Sequence, residues 1–238
     1  MITANVLEQI PLFSDMSRAD LELVALHTQE SVCEKGNYLF REGDRADYLY
    51  ILISGLVQMT AKGPGGQQTV IEILYPGDSF ILAAVITGKR FLMSAEVVKR
   101  AHVLKIPGDQ LIELIRHGGD LGLRMMATLS TQYRSMVRQV KNQRLRTTAQ
   151  RVAAFLLDLA HDQERGENQI TLPHSKKMLA ALLGMSQEGL SRTFSALREQ
   201  GVEIDNKQVQ IASVSKLRRF CGFSAVLDAS DRTTGPNT

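Results

Sequence analysis

The sequence is poor in aromatic residues and in cysteine. It contains no tryptophan, and aromatic residues make up 5% of its 238 positions, so we expect a core packed mainly by aliphatic and methionine side chains. The two cysteines, Cys33 and Cys221, lie in different segments of the chain. Their number and separation exclude a multi-cysteine metal site and argue against a structural disulfide.

Targeting and catalytic motifs are also missing. No basic region followed by an apolar core is present near the start, and no apolar run is as long as a membrane span. The sequence has no Gly-rich phosphate loop, no His or Cys cluster with metal-ligand spacing and no nucleophile elbow. We therefore expect a cytoplasmic protein with no membrane partner, no metal site and no enzymatic activity, and a hydrolase is an alternative without a supporting motif.

Positive charge is concentrated in the second half of the chain. Residues 1–117 carry 11 Lys and Arg against 14 Asp and Glu, a balance of −3, whereas residues 118–238 carry 17 against 11, a balance of +6. Phosphate binding favours such a positive region. The asymmetry is modest, so it indicates a nucleic-acid partner only together with a motif.

Residues 175–197 have the pattern of a helix-turn-helix. A first short helix is predicted over residues 175–183, Gly184 permits a sharp turn because it has no Cβ, and Ser186 is a suitable N-cap for a second helix. The apolar residues of the second helix share one face: Leu190, Phe194 and Leu197. Its polar residues share another face: Gln187, Glu188, Ser191 and Arg192. The pattern predicts a DNA-reading helix, and an ordinary helical hairpin with a solvated polar face is the alternative.

A β-hairpin is predicted directly after the second helix. Residues 202–205 and 208–211 alternate apolar and polar side chains, and Asn206 and Lys207 form a two-residue loop between them. A hairpin in this position is the wing of a winged helix. Lys207 at its tip is placed to contact phosphate, although lysine is also common at hairpin tips for solubility.

Short helices are predicted near both ends of the first half of the chain. Residues 5–13 favour a helix halted by Pro11, and residues 18–27 favour a helix capped by Ser17. The apolar positions of the second of these helices are Leu21, Val24 and Leu26. A third short helix is predicted over residues 107–117.

Short apolar runs and glycine-containing turns alternate between these helices. The predicted strands cover residues 38–40, 49–53, 56–59, 69–74 and 94–98. Regular short strands with this punctuation predict a β-sandwich or a barrel-like roll.

A long helix is predicted over residues 119–144. Its apolar residues follow a heptad pattern in two sets, three residues apart: Met126, Tyr133 and Val140, with Leu129 and Met136. Such a stripe predicts a dimer seam, and a helix packed against its own domain is the alternative, since coiled coils usually extend over three to four heptads. A further helix over residues 149–160, capped by Thr147 and Thr148, leads to the helix-turn-helix.

The order of β-roll, long helix and winged helix resembles the Crp/Fnr family of bacterial transcription regulators over about residues 7–220. The resemblance is carried by residues 42–44 (Glu-Gly-Asp), 53–55 (Ile-Ser-Gly), 76–78 (Pro-Gly-Asp) and 184–194. It implies an α+β fold with an N-terminal double-stranded β-roll of the cyclic-nucleotide-binding jelly-roll type. It also implies a homodimer that binds a palindromic operator in double-stranded DNA and controls transcription, with RNA polymerase as a further partner. A cyclic-nucleotide-regulated enzyme or channel module is an alternative, but the DNA module occupies the second half of the chain.

The resemblance implies four regions. Residues 1–118 are expected to form an effector-sensing β-roll domain and residues 119–145 a dimerisation helix. Residues 146–222 are expected to form a winged helix-turn-helix DNA-binding domain. Residues 223–238, rich in Ser, Asp, Thr, Gly and Pro, are expected to be a disordered tail.

Members of the family that bind cyclic AMP use a glutamate for the ribose hydroxyl and an arginine for the phosphate. The matching positions here are Ala83 and Met93. A buried phosphate without a cationic partner is strongly disfavoured, and Arg90 reaches the second position only if the alignment is shifted. The resemblance therefore argues against cyclic AMP as effector. An Fnr-type iron–sulfur cluster is excluded as well, because the N-terminal region has only Cys33.

An apolar pocket between the roll and the long helix is the predicted effector site. Its expected lining is Leu82, Ala83, Met93, Ser94, Met125 and Met126. The Dnr-like branch of the family, linked to nitric oxide, is thought to use haem in such a pocket, and His27, His102, His117 and methionine residues are candidate axial ligands. A lone histidine is more often a surface or structural residue and methionine a filler. Haem and a cyclic-AMP response therefore stay as alternatives, and the effector is unassigned.

Glu188, Ser191 and Arg192 match the Glu-x-x-Ser-Arg pattern of an Fnr-type recognition helix. Gln187 replaces the first arginine of the pattern found in cyclic-AMP regulators. Arg192 offers donors to O6 and N7 of guanine, Glu188 accepts from N4 of cytosine, and Ser191 is a weaker contact near thymine. Two lysines are expected to hold phosphates without reading sequence: Lys176 and Lys207. By resemblance, the half-site is TTGAT-like, arranged as TTGAT-N4-ATCAA.

Overall fold

The computed structural model of the protein describes residues 2–162 and 168–222. The chain divides into two compact units, Met1–Gln132 and Tyr133–Thr238. The first unit contains, in chain order, α1 (Ala4–Glu8), α2 (Arg18–His27), β1 (Gln29–Cys33), β2 (Tyr38–Phe40), β3 (Tyr48–Lys62), β4 (Gln68–Leu74), β5 (Ser79–Phe80), α3 (Leu82–Thr87), β6 (Ser94–Pro107) and α4 (Gly108–Arg116). The long helix α5 (Leu121–Leu145) begins in the first unit and ends in the second. The second unit continues with α6 (Thr148–Asp162), β7 (Gln169–Thr171), α7 (Lys176–Leu182), α8 (Gln187–Leu197), a 3₁₀ turn (Arg198–Gln200), β8 (Val202–Asp205), β9 (Gln208–Ile211) and α9 (Val214–Phe220).

The strands of the first unit form one antiparallel six-stranded sheet. Its main path is β1-β6-β3-β4, and β2 also pairs with β6 while β5 pairs with β3. The long strands β3 and β6 run side by side through its centre. This arrangement, followed by a long helix and a helix-turn-helix, confirms the predicted α+β fold class.

Strand β3 corrects one detail of the predicted sheet. The two strands predicted over residues 49–53 and 56–59 are parts of this one strand. Gly55 between them has a φ of +97°, and a Cβ there would collide with the carbonyl oxygen of Arg100 on the neighbouring strand. The pairing register shifts on both sides of this glycine, so the glycine marks a bulge within a strand and not a turn.

Two hydrophobic clusters fill the first unit, and they differ in composition. The cluster between the helices and the sheet is largely aliphatic, as expected, and includes Leu21, Leu49, Leu104, Leu111 and Met125. The second cluster gathers four aromatic side chains despite their scarcity in the sequence: Phe40, Tyr50, Phe80 and Phe91. Burial is the main cause that raises the pKa of Tyr50 to about 12, and its hydroxyl donates to the carbonyl of Leu39 at 3.4 Å.

Helix α2 begins where its capping residue predicts. The Oγ of Ser17 accepts a hydrogen bond from the N–H of Asp20 at 3.1 Å. Leu21 and Val24 are buried as expected. Leu26 is 78% exposed, so its assignment to the buried face of the helix was wrong. Leu26 follows Leu21 by five residues, which places it about 140° around the helix from the buried face.

Helix α3 had no signal in the sequence. It begins after Ile81, which has a φ of +64°, a left-handed conformation that is rare for a β-branched residue. The side chain of Ile81 packs against both clusters of the first unit. Tertiary packing therefore stabilises a backbone conformation that local sequence rules assign to glycine or asparagine.

The predicted domain limits stay a prediction. The long helix begins at Leu121 and ends at Leu145, close to the expected region 119–145. The boundary between the two compact units, however, lies inside this helix. The predicted disordered tail, residues 223–238, lies outside the described residues. Among the described helices, none is long and apolar enough to span a bilayer.

Candidate nucleic-acid interface

The predicted helix-turn-helix is confirmed. Helix α7 begins after Ser175, whose Oγ accepts from the N–H of Met178 at 3.3 Å, and α8 begins after Ser186, whose Oγ accepts from the N–H of Gly189 at 3.0 Å. Gly184 in the turn has a φ of +66°, which a side chain with a Cβ would disfavour. Two capped helices joined by a glycine turn therefore form one fixed pair.

One face of α8 is anchored in the core of the second unit. Leu190 and Leu197 are fully buried, and Phe194 is nearly so. Ala180 of α7 is also buried in this cluster, where its small side chain allows the helices to approach closely. Burial of each large side chain contributes roughly 1.5–3 kcal/mol, so the orientation of α8 about its own axis is fixed.

The other face of α8 is polar and exposed. It carries the four predicted reading residues: Gln187, Glu188, Ser191 and Arg192. Glu188 and Arg192 are four residues apart, a spacing at which helical ion pairs form, yet neither side chain has an ion pair or hydrogen bond among the described residues. By contrast, the hydroxyls of Thr193 and Ser195 donate to carbonyls of their own helix at 2.9 and 3.2 Å. The acceptor of Glu188 and the donors of Arg192 are therefore available to a ligand.

The predicted wing is confirmed and has a third strand. Asp205 pairs with Gln208 across the two-residue loop, and Asn206 in that loop has a φ of +53°, as a tight hairpin requires. Strand β7 pairs with β9 and is too short, at three residues, to be recognised by alternation. Lys207 is exposed at the tip, and its carbonyl accepts from the N–H of Leu172 at 2.7 Å, which ties the tip to the chain after β7.

Further basic residues surround the helix pair. Lys176 is exposed in the first turn of α7 as expected, and Lys177 beside it is a second exposed lysine that no sequence motif indicates. Helix α9 was also missed, although Ser213 caps it by accepting from the N–H of Lys216 at 3.3 Å. The Nζ of Lys216 donates to the carbonyl of Glu199 at 2.7 Å, so this amine is already engaged within the fold.

Helix α5 packs against the first unit through a row of residues spaced three and four apart. Leu121 and Met125 are buried, and Leu129 is half-buried against the same aliphatic cluster. One turn further, the side-chain amide of Gln132 donates to the carbonyl of Ser79 at 3.0 Å. Leu129 therefore packs within the first unit. This is the arrangement expected from the alternative to a dimer seam, a helix packed against its own domain.

The remaining seam residues lie on an exposed face of α5. Their exposed fractions are 59% for Met126, 68% for Tyr133, 64% for Met136 and 53% for Val140. Val137 beside them is exposed as well. A run of large apolar side chains left in water is typical of an interaction surface.

The six residues of the predicted effector pocket do not share one lining. Leu82 and Met125 are buried in the aliphatic cluster, whereas Met93 packs against the aromatic cluster. Ala83 and Met126 are exposed. The reason is that α3 turns Leu82 inward and its neighbour Ala83 outward, which an alignment of linear motifs does not reveal.

The positions that match the nucleotide-binding residues of the family carry no free cation. Met93 stands at the arginine position, and the guanidinium of the nearby Arg90 donates to the carbonyl of Gly43 at 2.7 Å. Ser94, the sixth predicted pocket residue, accepts through its Oγ from the N–H of Glu42 at 2.9 Å. These side chains bind the backbone of the 42–44 turn, so the residues present do not fit a cyclic phosphate held in the family's manner.

Comparison with known proteins agrees with this architecture. The Cyclic nucleotide-binding domain family matches residues 30–117, and the Crp-like helix-turn-helix domain family matches residues 150–220. The chain is 26% identical to the nitrogen fixation regulation protein FixK of Azorhizobium caulinodans over 213 residues, 87% of this chain and 85% of the relative. It is 23% identical to the CRP-like cAMP-activated global transcriptional regulator of Mycobacterium tuberculosis over 219 residues, 90% of this chain and 98% of the relative.

A solved structure supports the fold. FixK2 from Bradyrhizobium japonicum superposes with a TM-score of 0.68 at 21% identity, over 81% of this chain and 96% of that chain. The fold and the polar face of α8 thus define a DNA-binding transcription regulator with a sensor domain of the cyclic-nucleotide-binding type and a Crp-like helix-turn-helix. The protein belongs to the Crp/Fnr family, whose matched relatives are transcription regulators and not enzymes.

Proposed function

We propose that the protein is a homodimer that regulates transcription from a palindromic operator, as in the Dnr/Fnr-like branch of the family. The observation that carries this proposal is the polar face of α8, where Glu188 and Arg192 are exposed and without partners among the described residues. Arg192 is proposed to donate to O6 and N7 of guanine, and Glu188 to accept from N4 of cytosine. Ser191 would add a weaker contact near thymine. The proposed operator is TTGAT-N4-ATCAA.

The neighbouring groups have positioning roles in this proposal. Lys176 and Lys207 would bind phosphates and fix the register of α8 in the major groove. Ser186 would keep the first turn of α8 capped. Gln187, at the first exposed position of α8, has an amide that suits the N6 and N7 edge of adenine.

The proposed second subunit is another copy of this chain, bound through the exposed seam of α5. Four apolar side chains on one helix face need a partner, and a symmetric dimer supplies the same apolar face in return. Two α8 helices in such a dimer would lie about 34 Å apart, one turn of DNA. The two-fold symmetry of the dimer would then require a palindromic operator.

The proposed function is tested by selecting binding sites from randomised duplex DNA with the full-length protein. Palindromes with a G·C pair at the third position of each half-site are expected, with half-site centres about nine base pairs apart as in TTGAT-N4-ATCAA, close to one helical turn. Recovery of sites without that G·C pair would refute the assigned readout. Sedimentation of a monomer at the concentrations that bind operator would refute the homodimer.

We propose that cyclic AMP is not the effector. Ala83 and Met93 at the matched positions offer no charge, and Arg90 is engaged by Gly43. Calorimetry of the full-length protein with cyclic AMP is expected to show no saturable binding at micromolar concentrations. Saturable micromolar binding would overturn this proposal.

Haem is the remaining alternative for the effector. Of the three candidate histidines, His102 is paired with Glu30 at 3.2 Å and lies on β6, whereas His27 and His117 border one cleft near the start of α5. An absorption spectrum after haem addition tests this alternative, because axial histidine ligation shifts the Soret band. A spectrum identical to free haem would remove it.

The same proposal covers the location of the protein, its further partner and the roles of its three regions. A regulator of transcription acts in the cytoplasm on promoter DNA and, in this family, through RNA polymerase. The regions 1–118, 119–145 and 146–222 would then sense, dimerise and bind DNA in turn.

A further inference from the structure

A cleft of about 340 Å³ lies between helices α2 and α4 in the first unit. One face of each helix forms a wall, and the turn that leads into α5 closes one end. Its volume falls within the range of small-molecule sites. None of the residues matched to the nucleotide ligands of the family lines it.

The floor of the cleft is apolar. Val24 and Leu121 are buried there, and Met16 contributes a further buried side chain. Leu23 stands at the edge with 46% of its surface exposed. A ligand with an apolar body would cover Leu23 and complete the packing of this edge.

The walls of the cleft carry acidic groups from both helices. Asp20 projects from α2 and Glu113 from α4, and the lining contains no lysine or arginine. Neither carboxylate has a hydrogen bond or ion pair within the described part of the chain. The nearby cation Arg124, one turn after Leu121, is paired with Asp15 at 3.7 Å.

Two imidazoles and the side-chain amide of Gln110 complete the polar lining. The Nδ1 of His117 lies 2.8 Å from the carbonyl of Glu113, which leaves its Nε2 for a ligand, and His27 borders the same cleft. Within the described ranges, no three His, Cys, Asp or Glu side chains are close enough together to hold a metal ion. The polar groups of the cleft therefore do not form a metal site of that kind.

We propose that this cleft binds a small organic cation, with an ammonium group that pairs with Asp20 and Glu113 and an apolar body that covers Val24 and Leu23. Two unpaired carboxylates over an apolar floor favour a positive charge on an apolar frame and disfavour anions. The occupant would also contact Leu121, the first residue of α5. Any effect on operator binding through α5 rests on the proposed function, whereas ligand binding itself does not.

The test uses the full-length protein without DNA and the probe 2-phenylethylamine, with 2-phenylethanol as the neutral counterpart. Calorimetry is expected to show saturable binding of the amine, and binding of the alcohol at least about tenfold weaker, because the alcohol cannot form a charge-assisted hydrogen bond. The double substitution Asp20→Asn with Glu113→Gln is expected to weaken the amine by at least about tenfold.

The matched control is Glu22→Gln. Glu22 lies on α2 outside the cleft lining and pairs with Arg18 at 3.0 Å, so its neutralisation changes the net charge but should leave amine binding unchanged. The site is refuted if amine and alcohol bind alike, if the double variant binds as the wild type does, or if the amine shows no saturable binding at millimolar concentration. The amine-to-alcohol comparison uses wild-type protein, so it decides the matter even if the double variant folds poorly.

Discussion

Helices α5 and α8 each leave one face in water, and the two faces have opposite chemistry. On α8 the exposed side chains are hydrogen-bonding groups, among them Glu188 and Arg192. On α5 they are large and apolar, and Tyr133 and Met136 are exposed by 68% and 64%. The opposite face of α8 is buried in the hydrophobic cluster of the second unit, whereas α5 contributes Leu121, Met125 and Leu129 of its first half to a cluster of the first unit.

The difference between these faces indicates what each can bind. Polar groups are well solvated in water, so they favour a partner that replaces each water contact with a specific hydrogen bond, as a base edge does. Burial of apolar groups lowers the free energy whatever surface covers them, so they favour a partner with a matching apolar stripe. The first kind of face is suited to sequence-specific contacts, and the second is suited to assembly.

The largest effect is expected from Met136→Glu on the α5 face. A symmetric dimer would bury this position in both copies, so two side chains worth roughly 1.5–3 kcal/mol each are lost and two like charges face each other. We expect a monomer in sedimentation and operator affinity lower by at least about a hundredfold. Thr131→Glu, exposed on α5 outside the heptad positions of the seam, is the control and should remain dimeric. A dimeric Met136→Glu protein would contradict the assignment of this face.

A smaller effect is expected from Arg192→Ala on the α8 face. Loss of a bidentate contact to guanine should cost about 1–3 kcal/mol on the proposed operator and relax the preference at that G·C pair. Affinities for the four base pairs at that position give the measurement. Arg198→Ala is the matched control, because Arg198 is exposed after α8 and points about 240° around from Arg192. Unchanged base preference in Arg192→Ala would rule out this readout.

A change of about 1 kcal/mol is expected when the cap of α8 is removed by Ser186→Ala. The Oγ of Ser186 accepts from the N–H of Gly189, and without it that donor in the first turn loses its protein partner. The free energy of unfolding, measured with denaturant, should fall by that amount. Ser195→Ala removes a hydroxyl from the same helix that donates only to the carbonyl of Ser191, and it should change stability less. Equal losses in the two variants would show that the cap has no special role.

The smallest effect is expected from Lys207→Ala at the tip of the wing. A phosphate contact carries no sequence information, so affinity should fall alike for all DNA sequences. The slope of log K against log salt should become less steep by about 0.9. Lys35→Ala, an exposed lysine of the first unit, should leave the slope unchanged. A loss confined to one operator sequence would argue against a phosphate contact.

The helix-turn-helix and the wing could be predicted because their determinants are local. Ser186, Gly184 and the spacing of Leu190 and Phe194 act within a few residues of one another, and each has the predicted conformation or burial. Helix α9 and strand β7 were missed since their signals are brief. Helix α2 has the predicted cap and buries Leu21 and Val24, whereas Leu26 is exposed because its angle around the helix places it away from the buried face.

The placement of the residues expected to line the effector pocket could not be predicted, because it depends on long-range pairing. Sequence motifs match Ala83 and Met93 to the nucleotide-binding positions of the family, but the separation of Leu82 from Met93 into different clusters follows from α3 and the course of β6. Ile81 shows the same dependence, since its left-handed conformation is stabilised by packing that no local rule contains.

The sequence by itself determined the order of β-roll, long helix and helix-turn-helix, the polar face of the second helix of that motif, and the heptad spacing on α5. These features depend on periodicity, capping and turn chemistry, all of which act over one or two helical turns. Only the tertiary structure decided that Leu129 packs into its own unit while Met126 and Met136 remain exposed. It also decided that Asp20 and Glu113, more than ninety residues apart, share one cleft. The physical reason is that sequence spacing does not show what a side chain packs against. Tertiary packing decides which side chains of a heptad or charged segment are buried and which stay exposed to a partner.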